Sequence, residues 1–157
     1  MRLVVFLLLS LFLIGCDGKS GNYSLKSENG KPVTFELGRV FCPQCNMDIK
    51  SLKDSAQLID GKDVTIFDDV GCMILWINKQ GINPKDVKIW VFSRDTKHWI
   101  DAKKAYYSLT DVTPMGYGFG AYEKRGKDMI GFDEMRMNML RGLTLKDPRI
   151  RKKLLGY

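Results

Sequence analysis

The sequence lacks the signatures of the common hydrolytic and nucleotide-dependent enzymes. Nothing in its 157 residues resembles a catalytic triad, a paired-carboxylate site or a phosphate loop, and it holds one histidine, His98. It also lacks an apolar run long enough to span a membrane. The longest, Leu3 to Ile14, is interrupted at Ser10 and amounts to roughly 18 Å of helix against a bilayer core of ~30 Å. Acidic charge is in deficit, with 18 Asp and Glu against 25 Lys and Arg, a formal +7. The basic residues are dispersed until 146–153, which reads Lys-Asp-Pro-Arg-Ile-Arg-Lys-Lys. That density marks 146–157 as a basic, solvated C-terminal tail, able to approach anionic lipid or an acidic partner.

What the first residues do contain is an export signal. Arg2 supplies a positive start, the apolar run follows, and Gly15-Cys16 closes it. Leu13-Ile14-Gly15-Cys16 resembles the bacterial lipobox, in which the cysteine becomes the acylated N-terminus of the mature protein. The resemblance implies a signal peptide over 1–15, lipidation at Cys16, and a working place on the periplasmic side of a bacterial membrane. Nucleic acid is not an expected partner for such a chain. The mature 16–157 is one domain's worth of sequence, long enough to bury a core without disulfide staples.

Residues 17–30 are rich in Gly, Ser, Asn and Lys and poor in large apolar side chains, so 16–31 reads as a flexible tether. The domain proper is expected over 32–145. Val33–Leu37 alternates as a brief strand. Ser55–Ile59 and Val64–Phe67 flank Asp60-Gly61-Lys62-Asp63, a strong hairpin signal. Asp68 or Asp69 can cap a helix running to about Lys79, with Gly81 as its stop. Val87–Phe92 is β-branched or aromatic except at Lys88 and predicts a strand. Trp99–Tyr107 reads as a second strand or a mixed turn, 117–122 as a strand softened by glycines, and 127–141 as the last helix, opening near Phe132 or Asp133. Strand pairs followed by helices, twice over, predict a small α+β domain.

Cys16 goes to lipid, leaving Cys42, Cys45 and Cys72, an odd number for an oxidising compartment. Either one bridge forms with a thiol to spare, or a metal holds some of the sulfurs. Phe41-Cys42-Pro43-Gln44-Cys45-Asn46-Met47 places two thiols and a thioether together, and soft donors of this kind suit Cu(I) better than zinc. Rival readings are a thioredoxin-type redox pair, a structural Cys42–Cys45 disulfide, and a zinc knuckle of Cys42, Cys45, Cys72 and His98. Cys72 and Met73 would point about 100° apart on a helix, so at least one packs into the core. Met115, framed by Pro114 and Gly116, is displayed by a loop. Met129, Met135, Met137 and Met139 read mainly as packing, with Met135 and Met139 on one helix face.

Taken in order, Cys42-Pro-Gln-Cys45-Asn-Met47-Asp-Ile, Phe67-Asp-Asp-Val-Gly-Cys-Met-Ile-Leu-Trp76, Trp99-Ile-Asp-Ala102 and Thr113-Pro-Met-Gly-Tyr-Gly-Phe-Gly-Ala121 resemble the NosL family, the accessory lipoproteins of nitrous oxide reductase. The resemblance covers roughly residues 38–140. It implies a fold of two ββα(β)-type units like that of organomercurial lyase. It further implies a Cu(I) chaperone serving nitrous oxide reductase and its maturation and transport machinery. Cys45, Met47 and Met115 are its implied ligands, and Cys42 is a further candidate. Asn46 stands where that family usually has Gly, a position that Asn can fill because it tolerates left-handed backbone. The alternatives are a zinc- or disulfide-stabilised lipoprotein and a lyase-like enzyme built on Cys45, Cys72 and Asp69.

Overall fold

The computed structural model describes residues 24–156. The expected signal peptide, Cys16 and the start of the expected tether lie outside the described residues. Two antiparallel sheets and three helices make up the domain. The larger sheet contains β1 (Leu25–Lys26), β2 (Ala56–Asp60), β3 (Asp63–Phe67), β4 (Lys88–Phe92) and β5 (Trp99–Asp101), in the order β1-β3-β2-β4-β5. The smaller one pairs β6 (Tyr106–Tyr107) with β7 (Ala121–Tyr122). Helices α1 (Val70–Gln80), α2 (Phe132–Leu140) and α3 (Pro148–Leu155) complete it. The run β2-β3-α1-β4 is one ββαβ unit, and β6-β7-α2 repeats its first part. This is the α+β arrangement expected from the sequence.

Local chemistry explains the elements that position the site. β2 and β3 pair from Ala56 with Phe67 to Asp60 with Asp63, and Gly61 turns the hairpin at φ +59°, a backbone that glycine adopts without strain. The chain then enters α1 directly. Asp69 is its N-cap, accepting from the Gly71 N–H at 2.7 Å, and Gly81 closes it in the left-handed conformation. The buried face of α1 carries Val70, Cys72, Met73, Ile74 and Ile77 against Leu58, Phe67, Ile89 and Val91 of the large sheet. Each fully buried aliphatic side chain of this kind contributes roughly 1.5–3 kcal/mol. α2 adds Phe132, Met135 and Met139 to the same core, so those two methionines are packing residues, as their spacing implies. Met137 is exposed.

Several expectations need correction. Val33–Leu37 forms no strand, because the side chain of buried Gln57 satisfies Val33 in place of a partner strand: the Val33 N–H donates to Oε1, and Nε2 donates to the Val33 carbonyl, both at 2.9 Å. The stretch 99–107 divides between the two sheets, since Asp101 opens a turn that bonds the Lys103 and Lys104 N–H groups. Within 127–141 the helix opens at Phe132 as expected, after Asp128 at a positive φ of 58°, but it is not the last helix, since Pro148–Leu155 forms another. Leu25–Lys26, inside the segment assigned to the tether, adds an edge strand to β3. The basic tail forms α3, which buries none of its residues in the core. No described helix is long and apolar enough to cross a membrane.

One buried ion pair ties the far side of the domain to the loop that carries Met115. Arg94 donates to both carboxylate oxygens of Asp54 at 2.6 and 2.9 Å, to the Val112 carbonyl at 2.6 Å, and pairs with Asp111 at 3.1 Å. A bidentate fork of this kind fixes geometry as well as charge.

Candidate metal centre

The cysteine loop is a tight turn with a bridge at its base. Phe41 pairs with Asp48, the Cys42 N–H donates to the Met47 carbonyl at 2.9 Å, and the Asn46 N–H donates to the Cys42 carbonyl at 2.8 Å. Asn46 takes φ +61°, the left-handed backbone expected at this position. The turn sends Cys42 into the core, where it is fully buried, and leaves Cys45 half-buried.

Opposite the loop stands the N-terminus of α1. Capping needs one of the two aspartates that precede it. Asp69 takes that role, which leaves Asp68 free to face the thiols. The Cys45 Sγ lies 3.3 Å from both Asp68 carboxylate oxygens. Cys72, two residues into the helix, points to the same place. One donor atom from each of Cys42, Cys45, Cys72 and Asp68 lies within 4.8 Å of all the others.

The structure therefore brings together Cys42 and Cys45, two of the candidate copper ligands, with Cys72, which only the zinc-knuckle and lyase-like alternatives place at a site, and Asp68, which sequence reasoning left to a cap. Met73 does pack, fully buried, so helical spacing correctly separated it from Cys72. A signal for Asp68 was present: two adjacent aspartates before a helix exceed what one cap requires. Met47 sits on the cysteine loop with its side chain exposed. Met115 is half-buried, and its N–H donates to Asp69 Oδ2 at 3.0 Å, so the Asp69 carboxylate holds the Met115 loop and caps α1 at once. His98 does not join the thiols. Its ring contacts the Thr96 carbonyl and Glu123, so Asp68 stands where the rival zinc-knuckle reading places His98. Asp68, and not Asp69, is likewise the carboxylate beside the thiols that a lyase-like reading would need.

Proton affinities divide the cluster. A hydrogen bond from the Cys72 thiol holds the Cys42 pKa down to about 7, against the opposing effect of burial. The same hydrogen bond, with burial, pushes Cys72 up, since its proton serves the Cys42 thiolate. Burial, and the neighbouring Cys42 and Asp68, push Cys45 up to about 12. Asp69, fully buried, is raised to about 6 by desolvation, which the N–H donors of Met115 and Gly71 offset in part. Cys42 is thus the most readily ionised thiol of the cluster, and the other two can ionise when a cation replaces their protons.

This donor set fits a soft metal ion. Metal–thiolate bonds of about 2.3 Å let one ion bridge sulfurs up to about 4.6 Å apart, so the cluster needs little closing to hold one. Thiolates select Cu(I) and zinc, whereas an all-oxygen set would select calcium or magnesium. The fold and site define a small α+β domain with a mostly buried, thiol-rich cluster at a helix N-terminus that could hold a metal ion. The same fold occurs in a protein of known structure, the copper chaperone NosL from Shewanella denitrificans. The two superpose with a TM-score of 0.55 at 15% sequence identity, over 67% of this chain and 95% of that one. No family model and no curated protein matches the sequence.

Proposed function

We propose that this chain is a lipid-anchored, periplasmic Cu(I)-binding chaperone that supplies copper for the assembly of nitrous oxide reductase. The observation that carries the copper reading is the convergence of Cys42, Cys45 and Cys72 on one point beside Asp68. The motif resemblance and the fold shared with a copper chaperone support it. The N-terminal signal and Cys16 support export and anchoring. A chaperone must exclude free ion yet release its cargo, which favours a few soft ligands with one open edge. Here the thiols lie within, the exposed thioether of Met47 lies at the surface, and the Met115 loop is tied to the same helix end. A recipient's sulfur or imidazole can enter at that edge before the donor ligands leave. This role is binding and transfer, without a bond-making step.

Anaerobic competition with a Cu(I) chelator tests the reading, with one Cu(I) per chain expected. One observation favours a second reading: Asp68 adds an oxygen donor that zinc accepts readily. Tight zinc binding with no uptake of Cu(I) would replace the copper assignment with that one.

A further inference from the structure

Gly71 is the second residue of α1, between the Asp69 cap and Cys72, and the Tyr117 ring lies directly on its α-carbon. A Cβ at Gly71 would meet Tyr117 Cδ2 at 2.3 Å and Cγ at 2.9 Å, so no larger residue fits beneath the ring. The ring is also fixed from outside. Lys146 Nζ stands 5.2 Å from its centroid, and the Leu145 N–H donates to the Tyr117 carbonyl at 3.1 Å. Gly118, at φ +100°, packs so closely against the Leu109 carbonyl that a Cβ would approach it to 2.5 Å. The side chain is thus clamped between the start of α1 and the segment leading to α3. Burial raises its phenol to about 12, and the nearby Cys72, Asp69, Cys45 and Asp68 add to the rise.

We propose that Tyr117 covers the helix-start side of the thiol centre, its ring seated on Gly71 and shielding the adjacent Cys72 from solvent, so that it sets how fast cargo and reagents reach that buried sulfur. Cys42 and Cys72 are fully buried although they lie at a loop and a helix start, where solvent is close. The ring on the adjacent Gly71 is a half-buried aromatic belonging to no core strand or helix. A cover of this kind slows entry and exit alike. It therefore changes rates without changing the equilibrium affinity, which the ligands set. Tyr117 is a positioning residue here and donates no ligand.

The claim rests on the copper reading for its purpose but not for its test. With the full-length protein free of metal, under reducing conditions, each thiol is alkylated with iodoacetamide and its rate read by peptide mass spectrometry. Tyr117→Ala should alkylate Cys72 roughly two- to tenfold faster, the range that loss of one packed aromatic contact implies. Cys45, already half-open, should change little. Tyr117→Phe keeps the ring and should behave as the parent. Gly71→Ala, which displaces the ring, should reproduce Tyr117→Ala. Far-UV circular dichroism and thermal melts identify any variant that fails to fold, and Tyr117→Leu then replaces it. Parental rates in a folded Tyr117→Ala overturn the proposal, as does a Tyr117→Phe as fast as Tyr117→Ala. If the protein binds Cu(I), release to a chelator should quicken in Tyr117→Ala with affinity unchanged, and a fall in affinity matching the faster release would mark Tyr117 as part of the ligand shell. Absence of Cu(I) binding would sink the copper reading and leave the alkylation result standing.

Discussion

The Cys45 Sγ lies 3.3 Å from both carboxylate oxygens of Asp68, so the one half-open thiol of the centre is held by the aspartate that the helix cap does not use. That division of labour between two adjacent aspartates has consequences for binding, pH response and stability.

The ligands should not contribute equally. A charged thiolate binds Cu(I) more strongly than a neutral thioether. Cys45→Ser should cost more than the about 10–100-fold typical of groups that merely support a ligand, whereas Met47→Leu and Met115→Leu should stay within that range. Leu matches Met in volume and apolarity, so each should cost under ~1.5 kcal/mol of stability. Cys42→Ser distinguishes a spare thiol, with affinity unchanged, from a bis-thiolate site, with a loss like that of Cys45→Ser. Chelator competition on each folded variant measures all four. Parental affinity throughout would put the site elsewhere.

Copper uptake should release protons in a pH-dependent number. Ligating thiols must ionise. Cys45, at about 12, gives up a proton at any working pH, whereas Cys42, at about 7, does so only below that value. Release should therefore fall by about one proton per copper as pH rises from about 6 to 8. Anaerobic calorimetry in buffers of different ionisation enthalpy counts the protons. A constant count across that interval would show that Cys42 does not bind the ion.

Much of this was legible in the sequence. The Asp-Gly hairpin, the capped helix and the strand before Phe92 follow from local chemistry that tertiary packing leaves intact. Val33–Leu37 misled because its partner is the Gln57 side chain, 24 residues on, which no alternation pattern can reveal. Cys42 and Cys45 were legible because their spacing is local. Cys72 and Asp68 reach them only through the β2–β3 hairpin, and a lone cysteine in an apolar helix reads first as packing. The place of Asp68 depends on which aspartate caps α1, and Asp69, the one that does, also accepts from the Met115 N–H of a loop 46 residues on.

Asp69 should impose a stability slope on the metal-free protein. Its folded pKa, about 6, exceeds the unfolded 3.8. Its contribution is thus complete below about 4 and is lost as pH rises through 6, by about 3 kcal/mol for a fully buried group. Urea unfolding at pH 4 and pH 7 measures the slope. Asp69→Asn should flatten it, while weakening the bond to the Met115 N–H. An unchanged slope in that variant would assign the effect to another group.

Membrane attachment should depend on Cys16. Cys16→Ser should leave the exported chain unlabelled by a fatty-acid probe and unprocessed as a lipoprotein. Normal acylation of that variant would sink the lipobox assignment.

The central claim is that sulfur holds the cargo. X-ray absorption at the copper edge of the anaerobically loaded protein tests it most directly. The account predicts a Cu(I) edge and a first shell dominated by sulfur, reduced in Cys45→Ser. A shell of nitrogen and oxygen alone, unaltered by that substitution, would contradict it.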